Sequence, residues 1–168
     1  MVIKRPRIGD VFTIPTGDGR FGVGQVVATY GKDAYFFAVF GPLVSAADLP
    51  TRLIEVLAGP VEFLALSLDA KIHAGHWKVV DWIPVRDDLP LPAFKEAVAS
   101  ADHFDVVNYS GSQRRRANKD EVARLPNRKI VGPVRLERAL RASAGIEPWL
   151  DAFDELRPRG QTSREAFR

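Results

Sequence analysis

The chain has 168 residues, 46% of them hydrophobic, with a formal net charge of +3. That is enough apolar material for one packed domain, with or without an appendage. The absence of cysteine excludes disulfides and thiolate metal sites, and fits a reducing compartment. Met1–Arg7 is too short and too charged for a secretory signal, and no apolar run reaches membrane-spanning length. The expectation is a cytoplasmic protein with no membrane association.

The positive charge is unevenly spread. Residues 1–100 hold 10 Lys+Arg and 11 Asp+Glu, whereas residues 101–168 hold 14 and 10. Within 114–141 there are 10 basic and 3 acidic residues, an excess of +7. Such a run reads either as a solvated basic face or as a surface for an acidic partner, protein or nucleic acid.

Met1–Ile8 is a basic lead-in, expected to be mobile until strand pairing begins. Val11–Pro15, Arg20–Tyr30 and Ala34–Phe40 are strand-like, and the turn clusters Thr16–Gly19 and Gly31–Asp33 separate them. This is the pattern of an antiparallel meander. Gly22 and Gly24 share one face of the second strand, where missing side chains permit a bend or a close approach. Ser45-Ala46-Ala47-Asp48 has the form of a helix start, and Pro50 predicts a helix between Ala46 and Leu57 that breaks or restarts. Val61–Leu68 and Lys71–Ile83 read as two further strands, the latter with a turn at Ala74-Gly75. Five strands suffice for a strongly bent sheet, a half-barrel or a small closed barrel.

Pro84–Pro92 is a proline-rich connection and the best candidate for an internal boundary within a single body spanning 1–157. Phe94–Ala99 reads as a helical turn. His103–Tyr109 and Ser112–Ala117 flank Ser110-Gly111 as a hairpin. Asn118 with Glu121 forms a helix start, and Pro126 ends that helix. Pro133 opens the next, with Leu136 and Leu140 facing the core and Glu137 paired to Arg141 outside, and Gly145 stops it. Pro148 opens a last helix that carries Trp149, Leu150, Phe153 and Leu156 on one face. Pro158–Arg168 is polar and reads as a flexible tail. The fold class is α+β: a bent antiparallel sheet packed with a C-terminal hairpin and short helices. The periodicity predicts one continuous core of Phe12, Ile14, Val26, Phe36, Ala38, Phe63, Leu66, Leu136, Leu140 and Trp149.

No catalytic set stands out. Gly17-Asp18-Gly19-Arg20-Phe21-Gly22 matches Gly-x-Gly-x-x-Gly, but a dinucleotide site needs a helix after it, and here a strand follows. His73 and His76, three apart on an expected strand, point to opposite faces and have no marked third ligand. Asp87-Asp88 sits in the proline-rich connection, where solvated acids are commonplace. Neither a metal nor any other cofactor is called for. Arg114-Arg115-Arg116 lies on an expected strand, where only alternate arginines share a face, which weakens a nucleic-acid reading. Trp77, Trp82 and Trp149 read as core more readily than as interface anchors.

Three stretches, in order over about 150 residues, resemble one family. They are Gly9–Pro15 with Gly19–Val26; Trp77 with Pro84-Val85 and Pro92–Phe94; and Glu121–Leu125 with Pro133-Val134, Glu137–Leu140 and Gly145–Trp149. Together they resemble the bacterial polymorphic-toxin immunity proteins of the group numbered twenty-six. The segment His76–Trp82 departs from that pattern, which has a glycine soon after the tryptophan. The resemblance implies a non-enzymatic inhibitor that protects its cell by binding a cognate toxin domain. It carries over no functional residues, because the matched positions look structural. Combined with the basic excess, it makes Arg114, Arg116, Arg135 and Arg138 the candidate face for an acidic surface on the toxin. A nucleic-acid-binding module using 114–141, and a small enzyme using His73, His76 or Asp87, are the alternatives.

Overall fold

The computed structural model describes residues 4–168; residues 1–3 of the basic lead-in lie outside them. The fold is α+β. The strands are β1 (Asp10–Pro15), β2 (Arg20–Tyr30), β3 (Ala34–Ser45), β4 (Val61–Ser67), β5 (Lys78–Trp82), β6 (Phe94–Val98), β7 (Ser100–Val107) and β8 (Arg114–Arg116). The helices are α1 (Leu49–Ala58), α2 (Ala70–His73), α3 (Lys119–Arg124), α4 (Pro133–Ser143) and α5 (Ser163–Ala166), with a 3-10 helix at Asp151–Leu156. Two compact units divide the chain: Met1–Asp87 with Ile130–Arg157, and Asp88–Lys129 with Pro158–Arg168. The first crossing between them falls inside the proline-rich connection.

In the first unit the meander forms as its sequence pattern dictates. The sheet is antiparallel in the order β4-β3-β2-β1-β5. Register shifts at Phe21/Val23 and Val26/Ala28 interrupt the β2–β3 ladder, and such bulges bend a strand and increase its twist. The five strands do not close into a barrel. β4 and β5 occupy opposite ends, and β4 takes Val131 as its next neighbour, through a parallel bridge to Ser67 and a 2.7 Å hydrogen bond from Ser67 Oγ to the Val131 carbonyl.

The two glycines of β2 make space for large side chains. Phe12 lies opposite Gly24, and a Cβ at Gly24 would stand 2.4 Å from Phe12 Cζ. A Cβ at Gly22 would stand 2.3 Å from Leu140 Cδ2. The Phe12 ring stacks on Trp77 with centroids 5.4 Å apart and meets Phe37 edge-on at 5.1 Å. This face of the sheet, with Ile14, Val26, Val39 and Phe63, packs with Leu136 and Leu140 of α4 and with Phe153 and Leu156. The sequence-predicted core is divided by the sheet. Phe36, Ala38 and Leu66 are buried but are not part of this cluster, because β3 contributes Tyr35, Phe37 and Val39 to it instead. The other side of β3 packs against α1, whose Leu53, Val56 and Leu57 are buried.

Local expectations fail where tertiary pairing overrides propensity. Pro50 does not break α1; it sits in the first turn, where its missing N–H removes no helical bond. Lys71–Ile83 is not one strand. Its first part winds into α2, Gly75 turns at φ +78°, and only Lys78–Trp82 pairs with β1. Phe94–Ala99 is not helical, because β6 zips onto β7 from Phe94↔Val107 to Val98↔Ser100. Glu137 does not pair with Arg141. It accepts a 2.8 Å hydrogen bond from Trp77 Nε1 and lies 3.4 Å from Lys71 Nζ. The segment after Pro148 forms the 3-10 helix, which buries Phe153 and Leu156 and leaves Leu150 exposed.

The second unit is a three-stranded sheet, β6-β7-β8, over a small core of Ala93, Val106, Leu125 and Ala166. Asn118 caps α3 by accepting from the Glu121 N–H. The expectation of a frayed tail is corrected here. Thr162 and Glu165 form a capping box that starts α5, Pro92 bridges to Thr162, and Ser163 and Ala166 are buried. The physical reason is the two-way satisfaction of backbone donors at the helix start together with an apolar seat for Ala166.

Candidate binding surfaces

Arg114 and Arg116 stand on β8 in the second unit, and Arg135 and Arg138 on α4 in the first. The structure gives each a local partner. Arg114 Nε donates to Asp105 Oδ2 at 3.0 Å and its Nη2 reaches Glu96 Oε1 at 3.4 Å. Arg116 Nη1 contacts His103 Nδ1 at 2.7 Å. Arg135 pairs with Glu155. Arg138 Nε donates to Glu147 Oε1 at 3.0 Å, with its guanidinium 5.8 Å from the Phe153 ring centroid.

The other arginines of 114–141 are also engaged. Arg115 pairs with the buried Glu121 and lies over Phe167, and Arg124 pairs with Asp120. Arg141 reaches Glu147, and Arg128 donates to the Asn108 and Tyr109 carbonyls while covering Phe94 at 4.6 Å. The +7 excess is therefore much reduced locally by carboxylates, several of them outside the run, such as Glu96, Asp105, Glu147 and Glu155. Counting charge along the sequence missed this, because partners across strands and turns are invisible to a window. Any acidic partner, nucleic acid or protein, has to displace these carboxylates from the arginines.

The Gly-x-Gly-x-x-Gly match is the β1–β2 turn. Gly17 and Gly19 have φ of +88° and +86°, conformations that suit glycine. Between them Asp18 clasps the turn. Its carboxylate accepts from Arg20 Nε at 2.9 Å, from Thr16 Oγ1 at 2.7 Å and from the Arg20 N–H at 3.2 Å. The Arg20 and Thr16 hydrogen bonds hold the Asp18 carboxyl well below the usual carboxylate range, and the same carboxylate raises Arg20. A group with a folded-state pKa below its unfolded one contributes stability above the unfolded value and loses it as pH falls. Stability is therefore expected to drop as pH goes below about 4, and Asp18→Asn to flatten part of that drop in urea titrations at stepped pH. An unchanged slope in the variant refutes the clasp.

His73 ends α2, His76 lies in the turn after it, and Asp87 ends the first segment of its unit. Among the described residues no three His, Cys, Asp or Glu side chains come together to hold a metal. In the second unit an open cleft of about 350 Å³ is lined by Asn108, Tyr109, Gln113, Ser163, Arg164 and Phe167. Ser163 Oγ there accepts from the Tyr109 N–H and donates to the Pro92 carbonyl, both at 2.7 Å, so its proton is directed at a carbonyl and not at a base.

The three tryptophans separate. Trp77 is buried. Trp149 is half-buried, donates to Asp154 at 3.0 Å and lies under Arg157 at 4.4 Å. Trp82 is 49% exposed and donates to the Ile8 carbonyl at 3.0 Å, so the core reading fails for it. Its strand, β5, is exposed at all five residues. Ile8, Val79, Val80 and Trp82 are four of the nine large hydrophobics exposed among the described residues, so exposed apolar surface concentrates at this edge. The sequence signal was present in the charges of Lys78 and Asp81, which suit an edge.

No helix among the described residues is long and apolar enough to cross a membrane. The chain matches no protein-family model, no curated protein and no solved structure.

Proposed function

We propose that the protein is an immunity-type inhibitor that neutralises a cognate bacterial toxin domain by direct, stoichiometric binding in the cytoplasm. The reading is supported by where residues of the three resembling stretches meet. Phe12, Ile14, Gly22 and Gly24 of the first, Trp77 of the second and Ala139 and Leu140 of the third converge in the core of the first unit. Parts of all three stretches thus share one packing arrangement, while Pro92–Phe94 and Glu121–Leu125 belong to the second unit. Glu137, also in the third stretch, accepts from the Trp77 indole. A family signature held in the core leaves the surface free to vary with the toxin.

Within this reading Arg114, Arg116, Arg135 and Arg138 meet acidic groups of the toxin. Arg114, Arg135 and Arg138 have carboxylate partners and Arg116 contacts His103, and such surface pairs contribute little, so a partner's carboxylates can replace them. Complementary charge mainly raises the rate of association, which suits an inhibitor that must capture its target quickly.

The test is to look for a toxin domain in the neighbouring reading frames, co-express it with this protein, and titrate the purified pair calorimetrically. Rescue of growth and a one-to-one complex are expected. Growth arrest with both proteins present, or no heat of binding, overturns the reading. Arg114→Ala/Arg116→Ala is expected to slow association and flatten its dependence on ionic strength. An unchanged rate and salt slope remove these arginines from the docking surface.

A further inference from the structure

We propose that the free edge of β5 pairs with β5 of a second copy of this chain, across a two-fold axis at Val79. The strand lies at one end of the sheet, so its outer backbone groups have no strand partner among the described residues. An open edge is a template for strand addition, and the charges and bulge on this one deter any partner that does not match them in register.

The register identifies the occupant. Thr13 lies opposite Lys78, Phe12 opposite Val79, Val11 opposite Asp81 and Asp10 opposite Trp82, with the shift between Val11 and Phe12 leaving Val80 as the extra residue. Directly opposed residues share a face, and successive β1 residues alternate between faces. Lys78 and Asp81 are three apart and would point opposite ways on a regular strand. Here they stand opposite Thr13 and Val11, so the bulge brings both charges to one face, two rungs apart. Val79 and Trp82 go to the other face.

A two-fold axis perpendicular to the sheet at Val79 reverses the strand and preserves its faces. It sets Lys78 of each copy opposite Asp81 of the other, and Val79 opposite Val79. The contact is self-complementary, as a two-fold interface must be. Moving the axis one rung, to Asp81, places like charges face to face, so charge selects the register. Lys78 has no ion-pair partner among the described residues, and Asp81 uses one oxygen on the Trp82 N–H, at 2.7 Å, leaving the other for a lysine. Val79, Val80, Trp82 and the adjacent Ile8, each 45–49% exposed, supply apolar surface at the seam, with Val79 and Trp82 on the face opposite the ion pairs.

Sedimentation velocity over a range of protein concentration tests this, with wild type, Lys78→Asp, Asp81→Lys and the double exchange. All substituted positions are exposed, and circular dichroism melts check folding. Wild type is expected to dimerise. Each single reversal turns two attractive pairs into two repulsive ones and is expected to weaken the dimer at least about tenfold. The double exchange is expected to restore it. A wild type that stays monomeric, or single reversals that leave self-association unchanged, overturns the proposal. A monomer whose toxin binding is weakened by the same reversals also overturns it, and gives the edge to the toxin instead. Because self-association is measured without toxin, its failure is separate from failure of the inhibitor reading.

Discussion

Leu140→Ala is expected to destabilise the protein by about 2–5 kcal/mol, and Gly22→Ala by about 1–3 kcal/mol, but the two together by less than their sum. Leu140 is 1% exposed in the core between α4 and the sheet. Truncating it removes apolar contact and leaves a cavity. Gly22 has no left-handed backbone requirement, so alanine there is opposed first by the Leu140 side chain, whose Cδ2 lies 2.3 Å from the added Cβ. Removing that methyl opens the space the new Cβ needs, and the new Cβ partly fills the cavity. Urea unfolding of the four proteins measures the cycle. Additivity within about 0.5 kcal/mol shows that the two positions do not compete for this space.

The cycle also marks what a reader of the sequence could and could not see. The meander was legible because its turns are punctuated by glycines and its strands are apolar and β-branched. That Gly22 and Gly24 share a face was legible from period two. Which side chains fill the space above them was not, because Phe12 and Leu140 come from different elements. The face of β3 was also illegible. Ala34–Phe40 is apolar throughout, since α1 packs on β3 and its Tyr35, Phe37 and Val39 join the cluster that holds Leu136 and Leu140, and a run without alternation gives no phase.

The misread segments share one cause. Lys71–Ile83 and Phe94–Ala99 have weak local preferences, and pairing partners elsewhere in the chain decide them: β1 for Lys78–Trp82, β7 for Phe94–Val98. The candidate surfaces were less legible still. The arginine run was obvious, but its partners Asp105, Glu147 and Glu155 are brought to it by a hairpin and by helix ends. The β5 edge became visible only with the strand order, and the common face of Lys78 and Asp81 only with the bulge.

Trp77→Ala is expected to cost about 3–5 kcal/mol, and Trp77→Phe about 1.5–3 kcal/mol. The indole is 1% exposed, stacks on Phe12 with its plane 3° from parallel, and meets Phe37 edge-on at 6.0 Å. Alanine loses the ring and both aromatic contacts. Phenylalanine keeps most of the stacking surface but leaves the Glu137 carboxylate without the indole N–H at 2.8 Å. Lys71 remains 3.4 Å from the same carboxylate and offsets part of that loss, which places the effect toward the lower end of its range. Emission separates the tryptophans during unfolding: Trp77 is the buried emitter, and Trp82 is half exposed already. The native spectrum of Trp77→Phe is therefore expected to be red-shifted and its unfolding amplitude reduced. If the variant unfolds at the wild-type urea midpoint, the indole–carboxylate hydrogen bond contributes nothing, and the join between the second and third resembling stretches is made by packing alone.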